Sequence, residues 1–132
     1  MVRIHHIALW TPDLERLRKF YESYFGGRAG EKYVNAAKMY ESYFIRFDSG
    51  AAIEIMQRPE ILPPSVNGDS PSWGYTHLSL AVGSAEVVDR LTARLTEDGY
   101  RLADGPRRTG DGYYESVILD PDGNRVEINA AE

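Results

Sequence analysis

The sequence predicts an α+β protein built from two tandem copies of one βαβββ unit, and three observations predict it. Two amphipathic helix patterns occur, each led in by a strand pattern and followed by alternating apolar segments. A stretch crowded with proline and glycine separates them. Equivalent landmarks keep a nearly constant displacement: 71 from His6 to His77, 72 from Gly27 to Gly99, and 73 from Glu54 to Glu127. A fixed offset of this kind marks an internal duplication.

In order along the chain, Val2 to Trp10 reads as a strand. Thr11-Pro12-Asp13 then opens a helix, with Thr11 as N-cap, Pro12 at the first helical position and Asp13 in the first turn. Leu14, Leu17, Tyr21, Tyr24 and Phe25 recur at helical spacing until Gly26-Gly27 stops it. The segment from Arg28 to Tyr40 is expected to hold one short strand. Strands follow from Tyr43 to Phe47 and from Ala51 to Met56, joined by a hairpin turn at Asp48-Ser49-Gly50. The first unit thus covers 1–57, and residues 58–74 form the linker, with Pro59, Pro63, Pro64, Gly68, Pro71 and Gly74. The second unit, 75–132, repeats the order. Tyr75 to Val82 is a strand, and Ser84 caps a helix carrying Val87, Val88, Leu91 and Leu95 to a stop at Gly99. A weaker strand near Tyr100 to Ala103 precedes Tyr113 to Leu119, the turn Asp120-Pro121-Asp122-Gly123 and Arg125 to Asn129.

A chain of 132 residues suits one domain whose halves share a core, since half that length buries only a marginal apolar surface. Hydrophobic residues make up 42% and charged residues 27%, the balance of a globular protein. The net charge of −5, with no basic run interleaved with aromatics, argues against nucleic acid and for a small-molecule partner. No apolar run reaches membrane-spanning length, and Met1-Val2-Arg3-Ile4-His5-His6 lacks a signal-peptide core, so no membrane partner and a cytoplasmic location are expected. Without cysteine, any metal must sit on His, Asp or Glu.

Strand alternation identifies those candidates. Ile7 and Leu9 share one face of the first strand and leave His6 on the other; Leu78, Leu80 and Val82 do the same for His77. Ile53 and Ile55 flank Glu54, and Val126 and Ile128 flank Glu127. Each unit therefore turns one His and one Glu away from the surface on which its helix packs. A carboxylate among β-branched neighbours is costly unless a cation or a well-made hydrogen bond offsets its desolvation. Any one of these residues alone is better read as a solvated strand position or a satisfied histidine. Repeated at matched places, two imidazoles and two carboxylates point to one shared metal site. The donor set suits Ni, Zn, Co, Mn or Fe, with two coordination positions left for substrate on a six-coordinate ion. Alternation leaves His5 open as an alternative to His6, though an apolar residue directly follows both His6 and His77.

These residues resemble the vicinal oxygen chelate superfamily, in its glyoxalase I and bleomycin-resistance branch. The resemblance is carried by Ile4-His5-His6-Ile7-Ala8-Leu9 with Asp13-Leu14 and Phe20-Tyr21, by Ala52-Ile53-Glu54-Ile55, and by Thr76-His77-Leu78-Ser79-Leu80. It extends through Asp120-Pro121-Asp122-Gly123-Asn124-Arg125-Val126-Glu127-Ile128. In that family the His lies seven residues before the Asp that opens the helix, which favours His6. The resemblance implies half-barrel sheets, a homodimer, and one divalent ion (Ni, Zn or Co ahead of Mn or Fe) on His6, Glu54, His77 and Glu127. It also implies lactoylglutathione lyase-type isomerisation of a 2-oxoaldehyde thiol hemithioacetal through an enediolate, with Glu127 as catalytic base and Glu54 as the other candidate. The alternatives are an extradiol dioxygenase, epimerase or thiol transferase on the same scaffold, or a non-catalytic antibiotic-binding protein. Arg46, Arg107 and Arg108 are available for the carboxylates of glutathione. Trp10, Trp73, Tyr113 and Tyr114 are candidates for pocket lining or for core, and Arg108 to Glu115 reads equally as a mobile loop or as an ordinary Gly-rich hairpin.

Overall fold

The computed structural model describes residues 1–64 and 72–131. The chain divides into two compact units, Met1–Pro64 and Ser65–Glu132, each a sheet covered by one helix. Of the expected linker, residues 65–71, including Gly68 and Pro71, lie outside the described residues; 58–64 and 72–74 form no strand or helix.

In the first unit β1 (His6–Trp10) is followed by α1 (Leu14–Phe25), then β2 (Arg28–Ala29), β3 (Tyr33–Asn35), a 3₁₀ turn (Ala36–Lys38), β4 (Tyr40–Arg46) and β5 (Ala52–Gln57). The sheet runs β1-β5-β4-β2, with β3 also on β4; only the β1–β5 pairing is parallel. The segment expected to hold one short strand holds two, which pair in succession with different parts of β4. β1 begins at His6 rather than Val2, because its partner β5 starts at Ala52, after the turn at Asp48 to Gly50, and offers no ladder to earlier residues.

The helix start also differs from expectation. Asp13, not Thr11, is the N-cap: its carboxylate accepts from the Arg16 N–H at 3.0 Å. The Thr11 hydroxyl instead accepts from the Asp13 N–H at 3.1 Å, a local turn that leaves Pro12 outside the helix. Gln57, at the end of β5, fixes the junction by accepting from the Leu14 N–H and donating to the Pro12 carbonyl, both at 2.9 Å. Leu14, Leu17, Phe20 and Tyr21 are buried along α1, which lies on β4 and β5, where Ile45, Ile53 and Ile55 are buried. At full burial each such side chain contributes roughly 1.5–3 kcal/mol.

In the second unit β6 (Leu78–Ala81), α2 (Ala85–Glu97), β7 (Leu102–Arg108), β8 (Tyr114–Leu119) and β9 (Arg125–Asn129) form a sheet in the order β6-β9-β8-β7. β6 is parallel to β9, as β1 is to β5. It begins at Leu78, so His77 stands just ahead of the strand rather than within it. Ser84 caps α2 through the Val87 N–H, and Val88, Thr92 and Leu95 are buried against the sheet with Ile118, Val126 and Ile128. The buried Thr92 hydroxyl is satisfied by the Val88 carbonyl at 2.6 Å and by Ser116 at 2.7 Å. Of the two readings of Arg108 to Glu115, the hairpin is the one formed: the Thr109 N–H donates to the Tyr113 carbonyl at 2.7 Å, and the Tyr113 N–H to the Thr109 hydroxyl at 3.0 Å. Among the described residues no helix is long and apolar enough to cross a membrane.

Candidate metal-binding site

In the first unit, β1 and β5 run side by side with Ala8 opposite Glu54, so His6 lies two residues along on the same face. His6 Nε2 is 3.4 Å from Glu54 Oε2. His6, not His5, is the imidazole beside Glu54; its Nδ1 lies 2.8 Å from the Nδ1 of His5. The other carboxylate oxygen, Oε1, accepts a hydrogen bond from the Tyr40 hydroxyl at 2.9 Å. Burial and this bond push the Tyr40 phenol above its ordinary range. Phe44, directly opposite Glu54 on β4, sets its edge against the His6 ring at 5.2 Å and 83°.

The second unit repeats the arrangement. His77 Nε2 is 3.2 Å from Glu127 Oε2, and the Ser79 hydroxyl donates to Glu127 Oε1 at 2.6 Å. Ser79 is the residue directly opposite Glu127 on β6, the place Ala8 holds in the first unit. Side-chain exposures agree closely, 37% for both histidines against 16% for Glu54 and 14% for Glu127. Each unit therefore presents one imidazole nitrogen and one carboxylate oxygen together, with the second oxygen held by a hydroxyl. Anchoring of this kind orients a ligating carboxylate and is a regular part of metal sites.

Glu115 adds a second carboxyl to the face of Glu127. It stands on β8 two residues before Val117, which is opposite Glu127. Burial, a hydrogen bond with Glu127 and the charge of Glu127 raise the Glu115 carboxyl to about 7. Burial pushes the Glu127 carboxyl up, but hydrogen bonds from Ser79 and Glu115 and the His77 ring outweigh it, leaving it below its ordinary value.

The structure thus brings together His6 with Glu54 and His77 with Glu127. Among the described residues no group of three or more His, Asp or Glu side chains is arranged to hold a metal ion; each unit has one His–Glu pair. The imidazole and carboxylate donors of each pair are of the kinds that a divalent transition ion accepts. Sequence reasoning missed Tyr40, Ser79, Phe44 and Glu115. Ser79 was legible, since it shares strand parity with His77; the others depend on cross-strand register.

The remaining candidates are engaged within their own unit. Arg107 holds Asp104 through Nε at 2.9 Å and Nη2 at 2.8 Å. Arg108 donates to the Gly112 carbonyl at 3.1 Å and covers the Tyr114 ring, and Arg46 covers the Phe44 ring. The Tyr114 hydroxyl donates to Asp89 at 2.5 Å, while Trp73 and Tyr113 are exposed.

Comparison with known proteins places this chain in a family. Residues 3–128 match the model of the Glyoxalase/Bleomycin resistance protein/Dioxygenase superfamily. The uncharacterized protein YqjT of Bacillus subtilis is 30% identical over 130 residues, covering 96% of this chain and 98% of that protein. Among solved structures, a trypanothione-dependent glyoxalase I from Leishmania major superposes with a TM-score of 0.76 at 20% identity, covering 98% of this chain and 86% of the other. A glyoxylase/bleomycin resistance protein/dioxygenase domain from Frankia reaches 0.80 at 17% identity, covering 100% and 99%. With these likenesses over nearly its whole length, the chain belongs to the Glyoxalase/Bleomycin resistance protein/Dioxygenase superfamily.

Proposed function

We propose that the protein is a metal-dependent, glyoxalase-like enzyme that isomerises a 2-oxoaldehyde thiol hemithioacetal to a 2-hydroxyacyl thioester. Its partner is a small molecule, and it acts as a homodimer in the cytoplasm. The observation that carries this reading is the repeated His–Glu pair, 3.4 Å apart in one unit and 3.2 Å in the other, each with its outer carboxylate oxygen fixed by a hydroxyl. A protein that merely sequesters a drug needs no such duplicated set.

His6, Glu54, His77 and Glu127 would hold the ion, with Ni, Zn or Co ahead of Mn or Fe. When bound, it supplies Lewis-acid stabilisation of negative charge on two neighbouring substrate oxygens. Glu127 is the base: its carboxylate takes the proton from the carbon bearing hydroxyl and sulfur, then returns it to the adjacent carbon. One C–H bond breaks, another forms, and carbonyl and hydroxyl exchange places with no atom gained or lost. Glu54 is the other candidate for this role. Ser79 holds Glu127 Oε1 and so leaves Oε2 as the oxygen presented beside His77.

The test is elemental analysis of protein purified without chelator, followed by isomerisation assays on methylglyoxal hemithioacetals with each divalent ion. Glu127→Gln is expected to keep the metal and lower kcat by about 10²–10⁴-fold. His77→Ala is expected to lose the metal. Parent-like turnover by both variants would overturn the mechanism, and oxygen consumption with ferrous iron would replace it with ring cleavage.

A further inference from the structure

The two units share one architecture but not one surface. On the first sheet, the face that carries His6 and Glu54 also carries Trp10 on β1, Met56 on β5, Tyr40 and Phe44 on β4, and Tyr33, which lies opposite Ser42. Trp10 and Tyr40 meet edge to face at 6.3 Å and 89°, and Tyr33 and Tyr40 at 5.9 Å and 63°. The guanidinium of Arg58 lies 4.9 Å from the centre of the Trp10 ring. This cluster is fastened to the candidate ligands at two points: Tyr40 bonds Glu54, and Phe44 packs on His6. Trp10 is nevertheless 39% exposed and Tyr33 55%.

The second unit provides an internal control. By register, Val117 stands where Phe44 does, Asn129 where Met56 does, Glu115 where Ser42 does, and Ala81 takes the place of Trp10. The same fold forms without a ring at the places of Phe44 and Trp10, while Tyr113 takes that of Tyr40, so folding alone does not account for the rings at Trp10 and Phe44.

We propose that Trp10, Tyr33 and Tyr40 form the seat for a planar aryl group of the substrate, which is therefore an aryl-substituted 2-oxoaldehyde. This rests on the function proposed above. Partly exposed rings set edge to face beside a polar anchor take a flat apolar substituent with its oxygens directed at the His6–Glu54 pair. Discrimination between an aryl and a methyl substituent in such a seat is on the order of tenfold or more.

Calorimetric titration of the metal-bearing protein with mandelamide and lactamide tests the seat without catalysis, since both are neutral, offer adjacent oxygens and differ in phenyl against methyl. Mandelamide is expected to bind at least about tenfold more tightly. Trp10→Ala and, separately, Tyr33→Ala are expected to reduce that ratio to about threefold or less. The ratio is read on a single preparation, so loss of folded protein cancels. Equal affinities in the parent, or an undiminished ratio in both variants, would overturn the aryl seat while leaving isomerase activity standing. A persistent ratio, lost in the variants, with no isomerisation of any 2-oxoaldehyde would instead retain the seat and sink the proposed reaction.

Discussion

The hydroxyls behind the two carboxylates make the most local prediction. Tyr40→Phe and Ser79→Ala each remove one bond to an outer oxygen while leaving the proposed donors in place. Each is expected to weaken metal binding about 10–100-fold, measured by competition with a chromogenic chelator. A second residue-scale prediction concerns Glu15, whose carboxyl is held below its ordinary value of 4.5 by the Tyr43 hydroxyl first, then by Arg18 and Lys32 against a burial penalty. A depressed carboxyl contributes stability that is fully present above its unfolded value and is lost as pH falls through its folded value. Urea midpoints should therefore show parent protein ahead of Glu15→Gln near neutrality, with the gap closing below about pH 4.5. A gap unchanged into strong acid would refute the assignment.

At the level of elements, Gly105 is the position where β7 tolerates no side chain. Its φ is +76°, and an added Cβ would lie 2.6 Å from the backbone oxygen of Glu115 on β8. Gly105→Ala is expected to cost about 1–3 kcal/mol from the left-handed backbone alone, with the clash in addition, seen as a lowered Tm. This pair also shows what sequence reading recovers. α2 was legible because Ser84 and the spacing of Val88 and Leu95 agree, and β9 was legible through to Asn129 because the turn at Asp120 to Gly123 fixes its start. β7 was placed too early and too short: Gly105-Pro106 reads as a strand break, yet an edge strand absorbs it through register shifts on either side of Asp104. The starts of β1 and β6 were missed for a related reason. A strand ends where its partner does, and pairing partners are distant in sequence.

For the whole molecule, the decisive quantity is stoichiometry. His6 with Glu54 and His77 with Glu127 were legible because both their parity and their displacement repeat; of their hydroxyl partners, Ser79 was legible from its parity with His77, whereas Tyr40 reaches Glu54 from another strand with no equivalent spacing to announce it. If the pairs serve one ion, the protein should bind one metal per His–Glu–His–Glu set, and saturation at 100 times Kd should stabilise it by about 2.7 kcal/mol. His6→Ala and His77→Ala should each abolish that increment in calorimetry of chelated and reloaded samples. Two ions per chain, each lost by only one of the variants, would mean the pairs act separately.

Ala8 and Ser79 occupy equivalent seats opposite their glutamates, and only one carries an oxygen. The gene therefore already contains, in one half, the spare part for the other. A single methyl-to-hydroxymethyl exchange at Ala8 would duplicate the Ser79 anchor and release the phenol of Tyr40 from guard duty over Glu54. The ring at that place would then be at liberty to change while Glu54 keeps a hydroxyl on its outer oxygen.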